Sequence, residues 1–165
     1  MNSIQRITPF LWFDKHAEEA TEFYVSIFKD SKIEGITHYG EAAAEVSGVA
    51  KGTVMTVAFE LDGQKFTALN GGPAFKFNEA VSFVVNCDTQ LEIDEYWEKL
   101  SAGGEPRRCG WLKDKFGVSW QIVPAALSEI LLDKDPRKSE NVMKAILQMD
   151  KLDLQTLRSA YRAKP

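Results

Sequence analysis

Residues 7–13 (ITPFLWF) form a largely apolar run of strand length that stops at Asp14, a residue suited to cap a helix. Over residues 16–28 the apolar positions Ala20, Phe23, Tyr24, Ile27 and Phe28 recur at helical spacing, with Glu18, Glu19 and Glu22 on the polar side, which predicts an amphipathic helix. Residues 32–39 alternate loosely around Gly35 and read as a short edge strand. Residues 41–52 show neither period and read as a loop. Two strands, 53–61 and 64–70, meet across Asp62-Gly63, a strong hairpin signal, and Gly71-Gly72-Pro73 ends them.

A similar order then returns. Residues 80–87 are rich in β-branched and aromatic side chains, and Thr89 to Glu92 fits a capping box that opens a helix with the stripe Ile93, Tyr96, Trp97 and Leu100. Gly103-Gly104 ends that helix, and two strands follow near 107–113 and 118–123 with a turn at Gly117. After Pro124 the pattern is helical only. Leu127, Ile130 and Leu131 make a short stripe, Asp135-Pro136 starts a helix bearing Val142, Met143, Ile146 and Leu147, and a last helix carries Leu154, Leu157 and Tyr161. Arg158, Arg162 and Lys164 form a basic end that reads as a solvated helix terminus. The pattern predicts an α+β fold in a single domain, residues 1–165: a first module over about 1–78, a second over about 79–124 and a helical tail over about 125–165.

The two halves repeat weakly. An offset of 73 carries Phe23-Tyr24 onto Tyr96-Trp97 and Pro9 onto Ser82, and an offset of 54 carries Gly63 onto Gly117 and Thr67 onto Gln121. Because side chains alternate along a strand, Val81, Phe83, Val85, Phe66, Trp120 and Ile122 are expected to face the helices. Ser82, Val84, Thr67, Leu69, Ser119, Gln121, Pro9 and Leu11 then share the opposite face, apolar with a few small polar groups. Such a face suits a small-molecule cleft, and it equally suits an interface between modules or subunits.

Composition narrows the field. With 165 residues, 44% of them hydrophobic and 18 aromatic, the chain can fill a core without disulfides. Its 20 Lys and Arg against 24 Asp and Glu give a net charge of −4, so no basic footprint for nucleic acid or an anionic membrane is expected. No apolar run approaches the roughly 18 residues of a membrane span, and the expected location is cytoplasmic. Cys87 and Cys109 fit no short motif and are expected to be reduced. Two histidines, His16 and His38, leave little material for a metal centre. Cys109, with Arg107 on its face, is the best candidate nucleophile, set against a structural role for the thiol.

The runs ITPFLWF, HAEEATEFYVSIF, FTALNGGP, FKFNEAVSFVV and CGWLKDKFGVSWQIVP resemble the PhnB-like branch of the vicinal oxygen chelate superfamily, the glyoxalase, bleomycin-resistance and extradiol-dioxygenase group. The branch often carries a demethylubiquinone methyltransferase label. The resemblance implies two βαβββ modules whose sheets curl around a cleft, in a homodimer. It also implies that the superfamily's divalent metal would be held at Pro9, Thr67, Ser82 and Gln121. Only the Gln121 amide oxygen among these is a plausible ligand, so no metal and no cofactor are expected. The methyltransferase label lacks a glycine-rich strand-to-helix turn to support it. The expected function is binding of a small-molecule ligand of undetermined identity, with Thr67, Asn70, Ser82, Trp111 and Gln121 in the pocket. The alternative is a metal-dependent lyase, isomerase or dioxygenase.

Overall fold

The computed structural model describes residues 4–163, so Lys164 lies outside the described residues. The chain forms two compact units that divide between Phe77 and Asn78. Among the described residues no helix is long and apolar enough to cross a membrane.

The first unit runs β1 (Phe10–Phe13), α1 (Ala17–Ile27), β2 (Lys32–His38), α2 (Glu41–Ser47), β3 (Val54–Leu61) and β4 (Gln64–Asn70). Its sheet has the order β1-β4-β3-β2, with β1 parallel to β4 and the other pairs antiparallel. The β3–β4 turn uses Asp62 and Gly63 at φ 47° and 77°, the positive pair that a tight hairpin requires. One face of the sheet is the core. Leu11, Phe13, Val57, Phe59, Leu61, Phe66 and Ala68 are buried there beneath Ala17, Ala20, Tyr24 and Ile27 of α1, and the Phe59 and Phe66 rings stack at 5.4 Å. As expected, β2 is the edge strand.

Three expectations change in this unit. The first strand starts at Phe10, not at residue 7, because only Phe10 onward has a ladder partner on β4. Asp14 does not cap α1; His16 holds the N-cap position without a side-chain bond, and the Asn70 carboxamide oxygen accepts from the Ala17 N–H at 2.8 Å instead. The segment expected as a loop contains α2. Its Ala42-Ala43-Ala44 run favours helix through propensity rather than through burial, since no residue of α2 is buried, and Gly48 at φ 75° ends it.

The second unit runs β5 (Phe83–Cys87), α3 (Gln90–Ser101), β6 (Glu105–Pro106), β7 (Trp111–Lys113), β8 (Ser119–Pro124), α4 (Leu127–Leu131), α5 (Pro136–Ile146) and α6 (Leu154–Arg162). Its sheet repeats the first, with order β5-β8-β7-β6. The predicted capping box of α3 forms between Thr89 and Glu92. Residues 107–110 leave the expected strand as a turn, with Cys109 and Gly110 at φ 63° and 81°. Buried Asp114 ties the β7–β8 turn together: its carboxylate accepts from the N–H groups of Phe116 and Val118 and from Trp120 Nε1 at 2.8 to 3.0 Å.

The helical tail is part of this unit. Val142, Ile146, Leu152 and Leu157 bury with Val123 of β8 in one cluster. The 107–110 turn receives the chain between α5 and α6, since Cys109 N–H and Gly110 N–H donate to the Met149 and Asp150 carbonyls at 2.8 and 2.7 Å. Gly110 is required there, because a Cβ would stand 2.8 Å from the Ile122 carbonyl and 3.2 Å from Leu152. The Gln90 carboxamide brackets the same segment, accepting from Leu154 N–H and donating to the Leu152 carbonyl.

Candidate functional site

α1 packs on one face of the first sheet and α3 on one face of the second, and the candidate residues divide between these faces and the opposite ones, free of α1 and α3. In the second unit the ladders place Val84 and Trp111 beside Gln121, and Lys113 beside Ser119. These residues lie on the helix-free face, as parity predicts, while Val85, Trp120 and Ile122 are buried on the other side. Ser82 stands one residue ahead of β5, and its hydroxyl accepts from Gln121 Nε2 at 2.9 Å. Val81, expected against the helices, precedes the strand and is 69% exposed. The Ser119 hydroxyl is buried with no hydrogen-bond partner, a group of the kind that a ligand or water satisfies. Alternation placed it on this face, but a lone serine carries no sequence signal that marks it as functional.

Charge borders the same sheet. Glu79 lies 3.2 Å from Lys113 and 3.0 Å from Arg107, and Arg107 also reaches Glu105. The Lys113 hydrogen bond leads the causes that hold the Glu79 carboxyl below the usual carboxylate range. Arg107 is thereby engaged with carboxylates. Cys109 packs instead against the tail cluster, which favours the structural role for its thiol. Burial, followed by the nearby Glu92 and Asp88 carboxylates, pushes the Cys87 thiol up to about 12, so it is an inert apolar filler.

In the first unit the repeat slips. Phe10 pairs with Thr67, whereas Val84 pairs with Gln121. The buried residues Leu11 and Phe13 therefore correspond to buried Val85 and Cys87, an offset of 74, while Ala20 and Ile27 correspond to Ile93 and Leu100 at 73. The connection from β1 to α1 is one residue longer than its counterpart, and a one-residue slip exchanges the faces of a strand. Leu11, expected on the helix-free face, is in the core. Phe10 and Trp12 share the helix-free face with Thr67 and Leu69, and Thr8 replaces Pro9 as the counterpart of Ser82.

Asn70 also departs from the expected pocket. It is buried at the end of β4 and wholly engaged: besides accepting from Ala17 N–H, its Nδ2 donates to Glu18 Oε2 at 2.6 Å and to the Val54 carbonyl at 3.1 Å. Trp12, absent from the expected set, is the fixed aromatic of this face. Its Nε1 donates to the Gly72 carbonyl at 2.9 Å, Phe75 meets its ring edge-on at 4.9 Å, and a Cβ on Gly71 would fall inside the indole. A corrected parity would have found it.

The donor chemistry does not suit a divalent cation. Thr8 and Thr67 in one unit, and Ser82 and Gln121 in the other, offer hydroxyls and one amide with no anionic group. Among the described residues no three His, Cys, Asp or Glu side chains gather as a metal-holding group. Neither glycine pair opens a helix after a strand, as a nucleotide cradle requires: Gly71-Gly72 lies between β4 and β5, and Gly103-Gly104 between α3 and β6.

Residues 5–123 match the family model described as 3-demethylubiquinone-9 3-methyltransferase. The chain belongs to this family. It is the PhnB-like group of the vicinal oxygen chelate superfamily. A PhnB protein from Bacillus cereus is 39% identical, with a TM-score of 0.64 over 73% of this chain and 100% of that one. The fosfomycin resistance protein FosX from Mesorhizobium loti shares the fold at 13% identity and a TM-score of 0.55, over 81% of this chain and 99% of that one. FosX from Listeria monocytogenes, solved with Mn(II) and sulfate, does so at 18% and 0.51, over 78% and 99%. No curated protein matches the chain. The tail helices α4 to α6 lie beyond the residues that match the family model.

Proposed function

We propose that this chain is a metal-independent, cytoplasmic, homodimeric binding protein of the PhnB-like family that holds a small, partly apolar molecule against the helix-free face of its second sheet. Gln121 and Ser82 orient the ligand there by hydrogen bonds and Trp111 supplies an apolar wall, while on the first sheet Thr67 offers a hydroxyl at the corresponding position. The observation that carries this reading is the Gln121 to Ser82 hydrogen bond, 2.9 Å long, at positions where the superfamily resemblance puts metal ligands. Two neutral groups that satisfy one another need no cation, and they remain able to exchange that bond for one to a ligand. The methyl-transfer activity in the family's name is not part of the proposal, since neither glycine pair forms the strand-to-helix turn of a nucleotide site.

Elemental analysis of protein purified without chelator tests the reading. It expects no stoichiometric divalent metal and no rise in melting temperature on adding Mn(II) or Zn(II). A stoichiometric metal that is lost in Gln121→Ala refutes it. Native mass spectrometry of the same preparation is expected to find a co-purifying small molecule whose occupancy falls in Gln121→Leu.

A further inference from the structure

The Ser119 hydroxyl is buried without a hydrogen-bond partner, a state that costs stability until an acceptor reaches it. Two polar pairs stand close to it and leave it unused. The β7–β8 ladder places Lys113 directly beside Ser119 on the helix-free face, and Lys113 Nζ donates to Glu79 Oε1 at 3.2 Å. Two residues further along β8, Gln121 donates to the Ser82 hydroxyl. Val84 and Trp111 flank Gln121 on either side, so an apolar wall begins where the charged end of the face stops.

Glu79 is the looser member of the charged pair. Its side chain is 43% exposed against 25% for Lys113, and the same Oε1 also takes the Arg107 guanidinium at 3.0 Å. On leaving Lys113 the Glu79 carboxylate keeps Arg107 and gains water. Lys113, more enclosed, would lose its counter-charge unless another anion arrived. We infer that the ligand of this face is a small organic carboxylate with an apolar body, whose carboxylate replaces Glu79 on Lys113 Nζ and accepts a hydrogen bond from Ser119 Oγ. The group already seated on Lys113 is a carboxylate, so the replacement keeps its charge and hydrogen-bonding geometry, and it adds the acceptor that Ser119 lacks. Ser119 and Gln121 lie about 6.5 Å apart along the strand, so the apolar body reaches Val84 and Trp111 within the length of a single ring. A neutral ligand has no such exchange to make, because it leaves the Lys113–Glu79 pair where it is.

The inference rests on the ligand-binding reading above and deepens it. Sodium benzoate and its neutral counterpart benzamide are the probes, titrated at constant ionic strength while NMR follows the Gln121 side-chain amide. Benzoate is expected to shift that signal saturably and benzamide is not. Lys113→Met is expected to weaken benzoate binding by about 10-fold or more and Ser119→Ala by about 2- to 10-fold. The melting temperature of free Ser119→Ala is not expected to fall, since the hydroxyl it removes has no partner. Glu79→Gln is expected to lower the Kd for benzoate, because it removes the internal competitor, an effect opposite to that of losing a ligand contact. Equal shifts from benzamide and benzoate, or a Kd in Glu79→Gln that stays level or rises, overturn the carboxylate and leave the binding reading standing. So does silence from both probes when native mass spectrometry still finds a co-purifying molecule that depends on Gln121. Silence from both probes with no such molecule overturns both readings.

Discussion

Replacing Asn70 by alanine separates a pocket residue from a residue that builds the fold. The substitution removes the acceptor for the Ala17 N–H at the start of α1 and the donors to Glu18 and to the Val54 carbonyl, at a residue only 4% exposed. Alanine is too short to restore any of the three, and water has little access to the partners. With each net hydrogen bond worth about 0.5 to 1.5 kcal/mol and buried partners left unpaired, the loss is about 2 to 4 kcal/mol. For a chain of this size that lowers the melting temperature by about 5 to 15 °C. Urea unfolding followed by circular dichroism at 222 nm measures it, with Ser82→Ala as a reference expected to lose under about 1 kcal/mol. The reasoning fails if Asn70→Ala unfolds at the native urea midpoint, which would mean that α1 needs no support from β4.

The other predictions concern the tail, the indole cradle and acid. Leu152→Ala empties a fully buried site beside Gly110 and is expected to cost about 2 to 5 kcal/mol, read by the same urea titration, and a loss under about 1 kcal/mol would show that the tail is only loosely attached. Gly71→Ala puts a methyl group into the Trp12 ring, so Trp12 must move, and its fluorescence emission is expected to shift; an unchanged spectrum would contradict the packing. The carboxyls of Asp94 and Asp153 are held below their ordinary range, Asp94 first by its hydrogen bond with Lys151 and Asp153 first by its bond with Thr156. A lowered folded-state value favours folding above the unfolded value and loses that support as pH falls through the folded one. Amide exchange in α6 is therefore expected to quicken relative to the β4 core below about pH 4, and a uniform response would refute a tail-specific effect.

How much was legible in the sequence differs from element to element. The Asp62-Gly63 hairpin, the Thr89 capping box and the three tail helices follow from local chemistry, and each forms as read. α2 was invisible to periodicity because it buries nothing and owes its helix to three alanines. Alternation puts Thr67 and Gln121 on the helix-free faces because it runs along strands with ladder partners close by, whereas Trp111 enters through the family resemblance. Asn70 and Leu11 were misplaced for different reasons. Asn70 follows Phe66 and Ala68 on the core face of β4, where its carboxamide meets an uncapped N-terminus 53 residues earlier in the chain. Leu11 moved because a single extra residue before α1 inverted the face of β1.

By itself the sequence determined the α+β class, the repeated order of elements and the shortage of charged metal donors, since these depend on composition, short-range periodicity and capping. Tertiary structure decided which face each side chain of β1 presents, that Asn70 serves α1, that Trp12 rather than Leu11 stands on the helix-free side, and that the tail completes the second unit. The physical reason is the same in each case. Faces and partners are set by ladder register and by hydrogen bonds between residues far apart in the chain, and a displacement of one residue, which local patterns barely register, reverses them.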